Sequence, residues 1–206
     1  MTPILPEAVP VARRRGRPRD AQAEQAILTA TVDLLGEVGF ATLSIEAVAA
    51  RAGVARPTVY RRWPSKLELV IDAVIRMAPP VSSDITDDPR ADLLHLVSRL
   101  VADMTSAPVG RAILALTGEA DKHADLARRL ADDYLAPRRA ALAEVLRRAV
   151  GSGELNPDVD IDLMLDLVLG APTYRWLTTG RPVDSRSARA VVEAVWEMAR
   201  VGPIAR

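Results

Sequence analysis

Cysteine is absent from the 206-residue chain. That excludes disulfide scaffolds, thiolate zinc sites, iron–sulfur clusters and cysteine nucleophiles together. Histidine is scarce, and the two present, His95 and His123, stand far apart. Little is left for metal chemistry through imidazole, so no metal and no cofactor is expected. Aromatic residues make up only 3 %, too few for a sandwich or barrel built on Tyr, Phe and Trp. No apolar run approaches the roughly 18 residues of a membrane helix. The first dozen residues lack the basic cap, apolar run and cleavage site of a secretory leader. There is no G-x-S-x-G elbow, H-E-x-x-H pair, phosphate-cradling glycine loop or Glu-x-x-His of a di-iron bundle. The expectation is a soluble, cytoplasmic, all-α protein that is not an enzyme and has no catalytic residue.

What is present is unevenly placed. Basic and acidic residues number 27 each, yet residues 1–66 hold ten basic and six acidic groups. The remaining 140 residues are correspondingly acidic. A basic working end on an acidic body suits a partner of high negative charge, and nucleic acid is the obvious one.

Along the chain, residues 1–12 are proline-rich, and residues 13–19 read RRRGRPR. An apolar pattern at spacings of three to four starts near Asp20 and runs through Ile27 and Leu34 to Gly39. Gly39 suits the left-handed turn past a helix end. Ser44 suits the cap of a second, short helix closed by Gly53. A third helix is expected from about Ala55 to Arg62, with Pro57 in its first turn. Ser65 and Glu68 suit a capping box for a fourth, ending before Pro79. After a linker at 79–88, five more helices are expected at about 89–106, 109–120, 123–150, 159–179 and 185–201. That makes about nine helices in all.

Three short helices with a glycine-containing turn between the second and third spell a helix-turn-helix. Ala49 and Ala52 are small where helices must cross, and Val54, Val59 and Trp63 suit the core. The other face of the third helix shows Arg56, Pro57, Thr58, Tyr60, Arg61 and Arg62, with no acid of its own. The stretch TLSIEAVAARAGVARPTVYRRWPSKLELV resembles the DNA-binding domain of TetR-family transcriptional regulators. The resemblance rests on Thr42, Ser44, Ile45, Ala49, Ala52-Gly53-Val54, Thr58-Val59-Tyr60, Arg62-Trp63 and Ser65-Lys66. It departs at Ala55, where many members carry a serine that caps the third helix.

The resemblance implies a sequence-specific, ligand-responsive repressor that binds a palindromic operator in double-stranded DNA as a homodimer. It divides the chain into a disordered basic arm (1–19), a helix-turn-helix domain (20–66) and a ligand-binding and dimerisation domain (67–206), joined by the helix at 67–77. Arg56 is the expected base reader, through bidentate bonds to guanine. Pro57 suits a thymine methyl, and Thr58 a phosphate or base edge. Tyr60, Lys66, Thr42 and Ser44 are expected on phosphates. Arg61 and Arg62 fit either base or backbone. Arg15, Arg17 and Arg19 in the arm suit a narrow minor groove or phosphates.

The helix at 159–179 is apolar nearly all round and so needs burial on two sides. Leu163, Leu167 and Gly170, with Val191 and Val195 of the last helix, are the expected dimer surface. Pro172 should kink the 159–179 helix. Met104, Leu116, Tyr134 and Trp176 are expected to line a pocket for an apolar or aromatic small molecule. Two alternatives are a non-specific architectural DNA-binding protein, against which the acidic body argues, and a helical enzyme.

Overall fold

The computed structural model describes residues 17–81, 85–105, 108–117, 119–179 and 183–201. Among them every regular element is a helix. The expected arm at 1–19, with Arg15, lies outside the described residues, apart from the backbone at 17–19. The side chains of Arg17 and Arg19 also lie outside them. Helix α1 (Arg17–Thr42) starts three residues earlier than the apolar pattern, with Pro18 in a first turn that needs no amide donor there. It breaks at Gly39, whose φ of 75° only glycine adopts cheaply, and one further turn carries Phe40 into the core.

Helices α2 (Ile45–Arg51) and α3 (Arg56–Tyr60) follow. Ser44 Oγ accepts from the Ala47 amide at 3.1 Å, as a cap should. Ala55 provides no such bond to α3. Gly53, at φ 66°, makes the turn between them. Helix α4 (Lys66–Met77) is capped by Ser65 Oγ, which accepts from the Glu68 amide.

Helix α5 (Pro89–Thr105) begins under Asp88, whose carboxylate accepts from the Ala91 amide. Helix α6 (Val109–Thr117) is shorter than expected. The helix expected over 123–150 is present as α7 (Ala124–Arg129) and α8 (Ala136–Gly151), joined by a π-helical segment (Leu130–Leu135). Pro137 cannot donate to the Asp133 carbonyl, so the preceding turn widens, and the Ala136 amide reaches back to Ala131 O. Asp160 and Asp184 cap α9 (Ile161–Thr179) and α10 (Ser185–Val201).

The side chains bury into two cores. The head core gathers Ile27, Leu35, Val59 and Leu69 from α1–α4 with Ala112 and Leu116 of α6 and Leu126 of α7. The body core gathers α5, α8, α9 and α10 around Leu93, Leu146, Val168 and Trp196. Helix α6 thus packs with the head, although it follows the linker in sequence. Two glycines permit this. A Cβ on Gly36 of α1 would stand 3.2 Å from the Pro108 carbonyl oxygen, and one on Gly110 only 1.9 Å from the Met104 carbonyl oxygen. One buried polar cluster pins the linker to the body. Asp92 accepts from the Thr86 amide and hydroxyl at 3.0 and 2.8 Å and from Arg148 at 3.0 Å. Burial alone would raise its carboxyl pKa; the Thr86 and Arg148 donors prevail and hold it below the usual carboxylate value.

Candidate nucleic-acid interface and effector cavity

Helix α3 has one anchored side and one open side. Val59 is 0 % exposed at the centre of the head core, and Trp63 is buried beside it, with Nε1 donating to Asp72 at 2.9 Å. Helical geometry then turns Arg56, Pro57, Tyr60 and Arg61 outward, and all four are exposed; Thr58 is half-buried. Thr42, exposed, and Ser44, half-buried, flank them at the start of α2. The elements are close enough for one surface because α2 and α3 pack through Ala49, Ala52 and Val54.

Several of the cations expected on this surface are already engaged. Arg56 pairs with Glu46 of α2. Arg61 lies 3.7 Å from Asp20, both on exposed side chains. Arg62 turns back onto α1, pairing with Asp20 at 2.5 Å and with Glu24, and its side chain is only 18 % exposed. Glu24 also pairs with Arg76 at 2.6 Å. The Arg76 hydrogen bond and the nearby guanidinium charges outweigh burial and hold the Glu24 carboxyl below its ordinary pKa. Arg62 is therefore a clamp between α1 and the end of α3. Lys66 is another. Its Nζ donates to the Phe40 carbonyl at 2.8 Å, lies 3.4 Å from the Ala41 carbonyl and sits 4.5 Å above the Phe40 ring. The structure uses it to hold the chain just past the Gly39 kink.

At the seam between the two cores lies a cavity of about 190 Å³. Val97, Val101 and Met104 of α5, Ile113 and Thr117 of α6, Tyr134 and Leu135 of the π segment, Arg138 of α8, and Val168, Pro172 and Trp176 of α9 line it. Met104, Tyr134 and Trp176, three of the residues expected in a small-molecule pocket, are among the lining residues. Leu116 is not. It is 0 % exposed inside the head core, and the cavity-lining residues of α6 are Ile113 and Thr117. Burial pushes the Tyr134 hydroxyl pKa upward, which keeps it a proton donor.

The outer face of the body carries apolar stripes among charged residues such as Asp166 and Arg175. On α9, Leu163, Leu167, Gly170, Tyr174 and Leu177 recur at spacings of four and three. Leu163, Tyr174 and Leu177 are strongly exposed, Tyr174 at 67 %. On α10, Val191, Ala194, Met198 and Val201 form the adjacent stripe. An open groove runs between the two helices past Ala171, Pro172, Ala190 and Val191. Val195, expected on this face, is 2 % exposed within the body core. It lies four residues from Val191, but α10 leans its Val192–Val195–Trp196–Ala199 side inward. Pro172 is accommodated within a continuous helix, buried between cavity and groove.

Residues 27–73 match the model of bacterial regulatory proteins of the tetR family. Residues 84–195 match a tetracyclin repressor-like C-terminal domain. The chain belongs to the TetR family. Its similarity to other TetR-family regulators extends over nearly the full length. It is 32 % identical to the HTH-type transcriptional regulator YdeS of Bacillus subtilis, over 87 % of this chain and 90 % of that one. It is 31 % identical to the DNA-binding transcriptional repressor TetR of Mycobacteroides abscessus, over 88 % and 93 %. Among solved structures, the TetR family transcription regulator SCO0332 superposes with a TM-score of 0.61 at 36 % identity, covering 85 % of this chain and 97 % of that one. The fold also matches the regulator FadR from Bacillus subtilis, solved with stearoyl-CoA, with a TM-score of 0.66 at 19 % identity, over 87 % and 98 %.

As a TetR-family member the chain is a DNA-binding transcriptional regulator, and its relatives and matched families are regulators rather than enzymes. No described helix is long and apolar enough to cross a membrane. Sequence reasoning missed two residues in this molecule. Glu46 stands ten residues from Arg56, a separation that carries no helical signal. Nothing in the sequence sets Arg138 apart from the other arginines, and only the fold shows it buried beside the cavity.

Proposed function

We propose that this TetR-family regulator is a cytoplasmic homodimer that binds a palindromic operator and leaves it when a small molecule fills the seam cavity. The observation that carries the reading is the orientation of α3, with Val59 buried and Arg56, Pro57 and Tyr60 exposed together. Arg56 reads guanine O6 and N7, and Pro57 offers a thymine methyl an apolar surface. Thr42, Ser44, Thr58, Tyr60 and Arg61 serve phosphates or base edges around it.

The helix-turn-helix domain (20–66) is followed by a ligand-binding and dimerisation domain (67–206) whose α4, α6 and α7 pack against the head core. Pairing through the exposed stripes of α9 and α10 would set two α3 helices about one DNA turn apart, roughly 34–36 Å. Helix α6 lines the cavity on one side and the head core on the other. An occupant that presses on α6 therefore acts on the head, and it must favour the conformation that binds DNA worse by as much as it weakens binding.

Footprinting on sequences selected from random DNA tests the reading. A discrete palindromic footprint with two chains per site is expected. Arg56→Ala should cost about 1–3 kcal/mol there and relax one base position. Uniform coating of any duplex, or an equal loss on cognate and random DNA, would overturn it.

A further inference from the structure

The cavity wall is apolar except at one end, where Arg138 is 8 % exposed. Nη1 donates to the Tyr134 carbonyl at 2.8 Å and Nη2 to the Pro79 carbonyl at 2.9 Å, and the guanidinium stacks 3.8 Å from the Tyr134 ring centroid. These contacts fix its orientation and use two of its five N–H donors. They do not neutralise it. Among the described residues Arg138 is in no ion pair, which is rare for a charge buried this deeply.

Arg99 and Asp103 flank it in the adjoining recess, so the wall holds two cations and one acid. Burial raises the Asp103 carboxyl pKa, and the nearby Arg99 and Arg138 charges act in the opposite direction. The other polar groups do not compete for an anion. Thr117 Oγ1 donates to Ile113 O at 2.9 Å and Thr173 Oγ1 to Leu169 O at 2.7 Å, each spending its proton within its own helix. The lining residues with side-chain donors not spent within their own helix are Arg138 and Tyr134.

Size narrows the class. An apolar cavity of roughly 150 Å³ holds a benzene molecule. At about 190 Å³ this one has room for one ring and a short acidic arm. The rings of Trp176 and Tyr134 and the adaptable Met104 side chain suit a flat apolar body.

We infer that the effector is an amphiphilic monocarboxylate of single-ring size, its carboxylate on Arg138 and its apolar body against Met104, Trp176 and α9. The inference rests on reading the cavity as the effector site and adds the charge of the occupant. A neutral apolar compound would leave the guanidinium buried with no ion pair among the described residues. A carboxylate would accept charge-assisted bonds from the guanidinium donors that the Tyr134 and Pro79 carbonyls leave free.

The test uses the full chain without DNA. Binding of 3-phenylpropionate and of its uncharged analogue 3-phenylpropionamide is measured by calorimetry and by tryptophan fluorescence, for which Trp176 is the reporter in the wall. The acid should bind about tenfold more tightly than the amide. Arg138→Lys should retain part of that preference and Arg138→Met should abolish it. The wild-type comparison stands even if the variants fail to fold, because Arg138 also ties Pro79 to Tyr134. Amide binding as tight as acid binding, or no binding of the acid at millimolar concentration, would overturn the inference. An uncharged compound that fills the cavity and releases the operator would uphold the effector site while rejecting the carboxylate.

Discussion

The head and the body finish their surfaces differently. In the head, large apolar side chains close around Ile27, Leu35, Val59 and Leu69. The polar surface is laced with ion pairs that cross between helices: Arg51 to Glu37, Arg56 to Glu46, and Arg62 and Arg76 to Glu24. In the body, Leu163, Tyr174, Leu177, Met198 and Val201 stay exposed, and a cavity remains beside the core. The head is therefore complete in one chain, whereas the body leaves apolar area in water inside and out. Such patches mark places where something else binds.

Four variants break or sharpen this contrast. The largest effect is expected from Leu116→Ala. If α6 belongs to the head core, removing this fully buried side chain should cost about 3 kcal/mol in urea denaturation and leave the cavity able to bind its ligand. A loss below about 1 kcal/mol would place α6 outside the head core.

Next is the double variant Leu163→Glu with Tyr174→Glu, on the exposed stripe of α9. Sedimentation should show a monomer that still unfolds cooperatively. Operator affinity should fall about a hundredfold, since two linked readers gain that much from each other. A variant that remains dimeric would move the interface elsewhere.

Asp92→Asn comes third, at about 2 kcal/mol, because it leaves Arg148 facing an uncharged amide. The pH dependence follows from the depressed Asp92 pKa. A carboxyl whose folded pKa lies below its unfolded value, about 3.9, contributes fully above that value. The contribution fades as pH falls through the folded pKa. The gap between wild type and variant should therefore be constant near neutrality and narrow below about pH 4.

The smallest effect belongs to Glu46→Gln. It frees Arg56 from an exposed pair and should tighten operator binding by about 0.5 kcal/mol with little change in stability. Weaker binding would mean that Glu46 holds Arg56 in its reading position.

Much of the head was legible in the sequence because its signals are local. Gly39, Ser44, Gly53 and Ser65 each act on a neighbour within a few residues, and the periodicity of α3 separates Val59 from Arg56 and Tyr60 without knowledge of the rest of the fold. What escaped depends on partners distant in the chain. Periodicity marks an apolar side of α6 and α10 but not what lies against it, so it cannot tell that Leu116 and Val195 face the two cores rather than the cavity and the outer face. Lys66 finds its carbonyls 25 and 26 residues away, and Arg62 its carboxylate 38 residues away. Arg138 is set apart from other arginines only by the Pro79 carbonyl 59 residues back. Long side chains of one charge are interchangeable in a sequence, and burial alone distinguishes them.

Gly110 gives α6 a mechanical property. With the Met104 carbonyl packed where a side chain would begin, the first turn of α6 rests on the end of α5 as a lever rests on its fulcrum. It cannot slide towards α5. On the proposed reading, a guest that pushed on Ile113 and Thr117, further along the same arm, would tilt α6 about that point and carry the stroke to α1, on which α6 lies.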